Sequence, residues 1–510
     1  MSINFRGRLL AATLIAGSAA VTLGAAPARS ETLSDAIAMA YDTNPTLQAQ
    51  RATQRALDET YVQARSGWRP TLNLQAVASY EELRIPRQAL NIGERTLERG
   101  NSGALNFTLT QPIWTGGRTA SAVSAAQADV LQGRENLRRL EGQVLGGVIQ
   151  AYEDVRRDQE ALGIRQEDLG VLQKQLDESR ARFDVGELTR TDVAQSEARF
   201  AAAQALLQSA VAQLAISRAN YAALVGQNPG QLAGEPSLAY LLPGNVDDAF
   251  DIAEKYNPQL RAQQFAEAAS RARVAGARAE RMPRLDVQAT GRFTGAPLDP
   301  FVQDHFRRDI TTSAVVTVPL FSGGLTSSRI RQAIERNNAD RITIEAQRRA
   351  VLQQVTQSWN QLIAARANIG SDTEQVRAAE IASEGTKQEL GVGLRTTLDV
   401  LNADVELRNA QLSLVVARHD EYLAAANVLL AMGRLEARDL IPTVPQYSAG
   451  ANFRHLRVTL GWVPWEEPIA IVDRAIAVPP VPVTRDKPLE KPIPPGLQPP
   501  PSVPVVAHPR

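Results

Sequence analysis

Apolar residues recur at intervals of seven along two long stretches of this chain. The positions are Val148, Val155, Leu162, Leu169, Leu176 and Phe183 in the first stretch and Val355, Leu362, Ile369, Val376 and Leu390 in the second, with Ser383 interrupting the series. A sustained seven-residue repeat is typical of helices that supercoil side by side. Residues 118–183 contain no proline and, as one helix rising 1.5 Å per residue, would be about 100 Å long. That length far exceeds the thickness of a bilayer, so we expect this helix to project from any membrane that the protein enters.

A period of two precedes each heptad stretch. The alternating segments are residues 71–80 and 105–110 in the first half and 285–290 and 314–318 in the second. Such alternation predicts strands, which we pair into the hairpins 71–114 and 284–321. Strands of about ten residues with one apolar and one polar face are what a membrane barrel with a wet lumen requires.

Four strands are too few to close a barrel. An open sheet edge in lipid would leave backbone N–H and C=O groups without hydrogen-bond partners, so the hairpins predict an oligomer. Bacterial barrels have even strand numbers from eight upward; two copies would supply eight strands and three would supply twelve, which suits a water-filled bore. The alternative is a half-exposed sheet on a helical protein outside the membrane.

The two halves of the chain repeat each other. The segment Phe183–Val193 is answered by Leu390–Val400 at an offset of 207, whereas the Asn-Pro pairs that begin at Asn44 and Asn257 are 213 apart. The offset changes between the strands of each hairpin, which predicts length-tolerant surface loops there. We expect these loops, residues 81–101 and 294–309, at the cell surface.

Five segments follow from these patterns. They are a signal peptide at 1–30, a first repeat at 31–230 with its turn at 184–192, a second repeat at 231–440 with its turn at 391–399, a mixed extension at 441–477 with a possible strand at 456–462, and a tail at 478–510.

The signal peptide is indicated by Arg6, Arg8, the apolar residues 9–23 and the small residues 26–28. A retained anchor is the alternative, but the apolar stretch is short for a span, and no other stretch approaches the roughly 20 apolar residues of a membrane helix. The tail holds twelve prolines among 33 residues, which predicts a disordered or polyproline segment, or else a spacer or ligand for a periplasmic partner.

Composition excludes several functions. The numbers of basic and acidic residues are equal and there is no cysteine, so nothing points to a nucleic-acid partner, and disulfides and thiolate metal sites are excluded. The four histidines lack metal-ligand spacing, and the pairs Gly116-Gly117 and Gly323-Gly324 lack the lysine of a P-loop. We expect no catalytic residues, no cofactor, no metal and no enzyme activity.

The two turns carry the candidate functional residues. Thr189 and Thr396 stand where the N-cap of the following helix belongs, with Asp192 and Asp399 three residues later, as in a capping box. Capping is the simplest role for these acids. It does not exclude a second role, because an oligomer would bring several copies of these carboxylates together.

Together these features resemble the TolC family of outer-membrane efflux and secretion ducts. The resemblance covers residues 32–435 and rests on the duplicated order of helix, hairpin, long helix, turn and return helix. It also rests on three pairs of motifs, which are Asn44-Pro45 with Asn257-Pro258, Gln111-Pro112 and Thr115-Gly116-Gly117 with Val318-Pro319 and Ser322-Gly323-Gly324, and the two V-G-x-x-x-x-x-D-V turns.

The resemblance implies a mainly α fold with a β-barrel part. Three copies would form a twelve-stranded barrel in outer-membrane lipid, and their coiled-coil helices would form an α-barrel tunnel with a long periplasmic extension. The protein would be the exit duct for type I protein secretion or multidrug efflux, and would dock a periplasmic adaptor (membrane fusion) protein and an inner-membrane ABC or proton-driven pump. The docking residues would be those of the turns, Val185, Gly186, Thr189, Val392, Gly393 and Thr396. A secreted fibrous adhesin or coiled-coil scaffold is the alternative, although a fibre needs neither a duplication nor amphipathic strands.

The family closes its tunnel with a latch between the two turns. Matched residue by residue, Arg395 falls on the latch arginine, Thr191 and Asp192 fall on its partners, and Asp399 falls on the first acid of the constriction. Two positions depart from the family pattern, Leu390 in place of the latch aromatic and Asn402 in place of the second acid. These departures predict a weaker or differently gated closure.

Overall fold

The computed structural model describes residues 30–85, 96–295, 307–442, 444–456, 461–475 and 477. Except for Ser30, the expected signal peptide lies outside the described residues, as do the proline-rich tail and the middle of each expected surface loop. The helices are α1 Leu33–Thr43, α2 Pro45–Arg65, α3 Arg118–Asp184, α4 Arg190–Val225, α5 Val246–Tyr256, α6 Pro258–Ala279, α7 Leu325–Gly391, α8 Thr397–Met432, α9 Ala437–Leu440, α10 Ala449–His455 and α11 Glu466–Ala475, and the strands are β1 Thr71–Ile85, β2 Thr96–Trp114, β3 Arg284–Gly295 and β4 Arg307–Thr317. The predicted order of helix, hairpin, long helix, turn and return helix is confirmed in both halves.

The four strands form one antiparallel sheet in the order β1-β2-β3-β4. Directly paired residues lie on the same face of a sheet, and this register separates apolar rows from polar rows. Two rows of the apolar face are Leu72, Leu109, Ala289 and Thr312, and Leu74, Phe107, Gly291 and Ile310; two rows of the polar face are Asn73, Thr108, Thr290 and Thr311, and Gln75, Asn106, Arg292 and Asp309. The sheet therefore has the two-faced pattern of a barrel wall between lipid and water.

The strands are longer than the alternation predicted. β1 continues to Ile85 and β2 begins at Thr96, so that part of the expected loop 81–101 is paired strand, and β3 and β4 likewise extend into the expected loop 294–309. The first hairpin has strands of 15 and 19 residues. Ladder hydrogen bonds join backbone groups and do not require an apolar side chain at every second position, which is why the pattern ended before the strands did.

The chain forms two compact units. The helical unit comprises the described residues of Met1–Gln48, Leu140–Ala253 and Gln353–Gln446, and the sheet unit those of Ala49–Arg139, Glu254–Leu352 and Tyr447–Arg510. In the helical unit the heptad residues Val148, Val155 and Leu362 are buried, as the seven-residue repeat predicts. The seam ends near the turn, where Phe183 is 43% exposed.

The return helix α4 is more apolar than the sequence led us to expect. It contains an 18-residue window of mean hydropathy 1.3, of which 17% is buried, so that by length and composition it could cross a membrane. An alanine-rich run accounts for this value, because alanine raises the mean hydropathy without forming a bulky apolar core. Leu206, Val211 and Ile216 are each about half exposed on this helix, which leaves it with an apolar surface in the single chain.

The C-terminal extension forms two short helices in the sheet unit, α10 and α11. Of the possible strand at 456–462, only Leu456, Gly461 and Trp462 are described, and none of them lies in a strand. Ile469 and Ala470 of α11 pack in a buried cluster with Trp68 and Val123. This helix lies beside β2.

Candidate functional site

Each turn at the end of a long helix is built from a glycine and a capping box. Gly186 and Gly393 have φ of 81° and 79°, a conformation that L side chains rarely adopt. Thr189 caps α4 by accepting from the backbone N–H of Asp192, whose side chain accepts in return from the backbone N–H of Thr189. Thr396 repeats this arrangement at the start of α8. The predicted capping boxes are therefore confirmed.

The capping bonds keep both turn acids in their charged form. Hydrogen bonds from the side chain and backbone of Thr189 lower the pKa of Asp192. Hydrogen bonds from the backbone and side chain of Thr396 lower the pKa of Asp399. Both carboxylates lie on the surface of the single chain, so they are available to a neighbouring molecule or to a cation.

Arg395 forms an ion pair inside its own turn. Its Nε lies 2.7 Å from Oε2 of Glu389, and both side chains are about half exposed. A hydrogen bond and the charge of Glu389 raise the pKa of Arg395. Among the residues that the structure describes, no hydrogen bond or ion pair joins Arg395 to Thr191 or Asp192 within one chain. The latch contact therefore stays a prediction, and in an oligomer it would form between neighbouring chains.

A buried carboxylate on α8 ties three helices together above the turns. Asp404 is 4% exposed. Its Oδ1 accepts from Ser383 Oγ at 2.6 Å and lies 2.8 Å from Lys387 Nζ, both on α7, while its Oδ2 accepts from Gln175 Nε2 on α3 at 2.7 Å. Hydrogen bonds to a charged group are among the stronger polar contacts in proteins. Since α3 belongs to the first repeat and α8 to the second, Asp404 joins the two repeats.

The first repeat has a weaker counterpart of this cluster. At the offset of 207, Lys387 and Asp404 correspond to Arg180 and Glu197, whose side chains are also 2.8 Å apart but are both about half exposed. Ser383 corresponds to Leu176, which is buried. The duplicated ion pair is thus kept in both repeats, but only in the second is the acid buried and tied to the other repeat.

Three further polar contacts of α8 join the repeats. Arg199 NH2 donates to Asn402 Oδ1 at 3.1 Å, so the residue that replaces the family's second acid accepts a hydrogen bond from the first repeat. Arg408 lies 3.5 Å from Glu167 on α3. His419 Nε2 lies 3.0 Å from Asp154 on α3, and its Nδ1 lies 2.9 Å from Asp420. Together with Asp404, these contacts join α8 to the first repeat at several points along its length.

A groove of about 430 Å³ opens next to the Asp404 cluster. Apolar side chains of Val171, Leu188 and Leu390 line it, and Lys174 and Lys387 contribute positive charge. Leu390, which stands at the position where the resemblance placed the latch aromatic, lies in the groove wall. The groove is lined from both repeats, by residues of the two long helices and of the two turns.

The sequence showed part of this site. The turns, their glycines and their capping boxes followed from the duplicated motif, but Asp404, Gln175 and Arg199 were missed. Ser383 was the available signal, because a polar residue at a heptad position predicts a buried polar contact. The sequence does not show which residues make this contact, because Asp404, the partner of Ser383, also binds Gln175, which is far away in the chain.

The chain is similar to known export channels over most of its length. The family model described as outer membrane efflux protein matches residues 36–227 and 250–434. The outer membrane efflux protein BepC of Brucella suis is 34% identical over 88% of this chain and 94% of its own length, and the outer membrane protein TolC of Escherichia coli is 25% identical over 78% of this chain and 81% of its own. The fold is similar to the crystal structure of the CmeC outer membrane channel of Campylobacter jejuni, with a TM-score of 0.71 and 14% identity over 83% of this chain and 89% of that one.

Proposed function

This chain belongs to the outer membrane efflux protein family and is an outer-membrane export channel, and we propose that it works as a homotrimer that passes its cargo passively through a gated periplasmic tunnel. The cargo is either a small molecule, as in efflux, or an unfolded protein, as in secretion. Energy comes from an inner-membrane pump, of the ABC or proton-driven type, that is joined to the channel by a periplasmic adaptor.

The observation that carries the proposal is the amphipathic sheet with two open edges. Within the described residues, β1 and β4 each pair on one side only. In lipid the free backbone groups of these edges must find partners, and β1 of one chain can pair with β4 of the next in the same antiparallel sense. Three sheets closed in this way give a barrel of twelve strands with the polar rows facing the bore.

The exposed apolar surface of α4 supports packing between copies. Leu206, Val211 and Ile216 are each about half exposed in the single chain. Exposed apolar side chains on a helix are typical of interaction sites. At about 100° per residue these three side chains point in different directions around α4, so copies packed beside the helix would cover part of this apolar surface.

We assign gating and docking to the turns. Arg395 would bridge to Thr191 and Asp192 of the next chain in the closed state, and the three copies of Asp399 would form a carboxylate ring that binds cations. The adaptor would dock at the turn residues Val185, Gly186 and Thr189 and their counterparts Val392, Gly393 and Thr396. The groove beside Leu390 would receive apolar side chains of the same adaptor. A fibrous adhesin would require none of these features.

Ion selectivity in a planar bilayer tests the proposal. The purified protein should form channels that prefer cations, and Asp399→Ala should reduce that preference because a ring of carboxylates is lost. Asp35→Ala is the matched control, since Asp35 completes the same kind of capping box with Thr32 at the start of α1, outside the two turns. A protein that forms no channel would contradict the proposed duct. Channels whose selectivity is unchanged by Asp399→Ala would contradict only the carboxylate ring.

A further inference from the structure

The helix α11 buries two acids and exposes two large aliphatic residues. Glu466 and Asp473 are fully buried, whereas Ile471 is 63% exposed and Val472 is 45% exposed. Charged residues are almost never fully buried unless paired, and a surface helix normally turns its apolar stripe inward. The buried face also holds Ile469 and Ala470, and the outer face also holds Glu467 and Arg474. The outer face of α11 therefore combines an apolar patch with charged residues, which is the pattern of a helix at a boundary between water and an apolar phase.

Buried ion pairs fix one end of α11. Glu466 accepts from Arg65 Nε at 2.6 Å and from Arg69 Nε at 2.9 Å. The attraction of Glu466 outweighs the opposing effect of burial and raises the pKa of Arg65. These contacts hold the start of α11 against the end of α2 and the residues that follow it.

The other end of α11 caps the long helix α3. Asp473 accepts from the backbone N–H of Thr115 at 2.9 Å, of Gly117 at 3.0 Å and of Ala120 at 3.2 Å, and also from Trp68 Nε1 at 3.1 Å. The first N–H groups of a helix have no hydrogen-bond acceptors within the helix. At the start of α3, the carboxylate of Asp473, from a distant segment of the chain, is an acceptor for them. With both ends anchored in this way, the outward direction of Ile471 and Val472 is set by the fold.

The segment before α11 lies at the end of the apolar face of the sheet. Trp465 Nε1 donates to Gln111 Oε1 at 3.0 Å. Gln111 lies two residues after Leu109 on β2 and pairs with Val287, so it continues the row of side chains that the barrel turns toward lipid. Trp465 and Trp462 are 49% and 40% exposed. Trp465 thus stands where the lipid-facing side chains of β2 end, and Trp462 lies three residues before it in the chain.

We propose that residues 462–475 form an interfacial belt that rests in the periplasmic leaflet of the outer membrane. Tryptophan is enriched at membrane interfaces because its ring is apolar and its N–H is polar. Trp462 and Trp465 lie at the headgroup level, and Ile471 and Val472 enter the boundary of the acyl chains, as in other interfacial helices. Arg474 is exposed at the end of the helix, and its guanidinium lies 5.4 Å from the ring centroid of Trp68.

The sheet order favours lipid over a second copy as the occupant. Copies of the chain must join at the edge strands β1 and β4, whereas Trp465 contacts β2, an inner strand of the sheet. The belt also continues an apolar face that the barrel presents to lipid in any case. The proposal uses the outer-membrane location of the family and does not depend on the assignments made for the gate.

Quenching by brominated lipid tests the belt. The full-length protein is placed in vesicles of phosphatidylethanolamine and phosphatidylglycerol that carry bromine near the headgroup, and tryptophan fluorescence is recorded. The variant with Trp462→Phe and Trp465→Phe should lose most of the quenchable signal. Trp359→Phe is the control, because Trp359 lies in the middle of α7. Equal losses in the two variants, with the oligomer intact, would overturn the proposal.

Photocrosslinking at Ile471 separates lipid from protein. A benzoylphenylalanine at this position, Ile471→Bpa, adds an apolar ring to a side chain that is already exposed, so folding should be preserved. Irradiation in the same vesicles should yield adducts with phospholipid. Adducts between two chains would show that a second copy covers α11, and adducts with neither would show that the face meets water; both results would overturn the belt.

Discussion

Lys387 and Asp404 form an ion pair of 2.8 Å in which the lysine is 39% exposed and the acid is 5% exposed by side chain. The corresponding pair in the first repeat is Arg180 with Glu197, and both of its side chains are about half exposed. Burial weakens screening by water and salt, and Asp404 also accepts from Gln175 on the other repeat. The ion pair of the second repeat is therefore part of a contact between the repeats, whereas the corresponding pair of the first repeat lies on the surface.

Removing Asp404 should loosen the helices near the turns. Asp404→Ala leaves Ser383 and Gln175 without their acceptor, and charge-assisted hydrogen bonds contribute about 1.5 to 3 kcal/mol each. We expect a clear fall in the melting temperature of the detergent-solubilised protein and a rise in single-channel conductance. Glu197→Ala, the matched variant in the first repeat, should cost about 1 kcal/mol or less because its pair is exposed. Equal effects of the two variants would contradict a special role for Asp404.

Arg395 should act through a neighbouring chain and not through Glu389. Arg395→Ser is expected to raise the single-channel conductance while the oligomer stays intact, because the predicted latch to Thr191 and Asp192 is lost. The increase should be moderate, since Leu390 already replaces one latch residue. Glu389→Gln removes the pair within the turn and should leave conductance unchanged. If both variants raise the conductance equally, or if Arg395→Ser has no effect, the latch assignment fails.

His419 should make the stability of the helical unit depend on pH. Burial opposes its charge, but hydrogen bonds to Asp154 and Asp420 prevail over burial and over repulsion by Arg157, and raise the pKa of His419. When the pKa of a histidine is higher in the folded than in the unfolded protein, its protonation stabilises the fold. This stabilisation is complete below the unfolded pKa of about 6.5 and is lost as the pH rises through the folded pKa.

The difference in melting temperature between the wild type and His419→Gln, measured against pH, checks this expectation. The difference should be largest in mildly acidic solution and should shrink above neutral pH. His455→Gln is the control, since His455 is exposed at the end of α10. A difference that grows with rising pH would have the wrong sign for a histidine stabilised by two carboxylates.

Asp473 should contribute more to stability than the exposed acid Glu467 on the same helix. Asp473→Ala leaves several buried N–H donors at the start of α3 without a partner, which should cost on the order of 3 kcal/mol. Glu467→Ala is the matched variant, because the side chain of Glu467 is 58% exposed and its pair with Arg65 should contribute about 1 kcal/mol or less. Thermal unfolding in detergent measures both. A melting temperature of Asp473→Ala equal to that of Glu467→Ala would show that water replaces the cap.

The elements that followed from the sequence are those with a regular period. The seven-residue and two-residue repeats predicted α3, α7 and the strands, and the duplication predicted the turns with Thr189 and Thr396. Contacts between residues far apart in the chain carry no period, so the links of Asp404 to Gln175 and of Asp473 to Gly117 were not predictable. Glu466, Ile469, Ala470 and Asp473 have the spacing of one helix face, but only the structure showed that this face is buried together with its two acids.

Disulfide crosslinking between the sheet edges tests whether three copies of the chain close one barrel. The chain has no cysteine of its own, so Asn73→Cys on β1 can be combined in turn with Thr311→Cys, Ser313→Cys or Val315→Cys on β4. Within one chain these edges are three strand spacings apart, about 14 Å, which is too far for a disulfide. In oxidised outer membranes we expect, at the correct register, crosslinked products that end at three chains. Single chains at every register, or products that continue beyond three chains, would contradict a barrel closed by three copies.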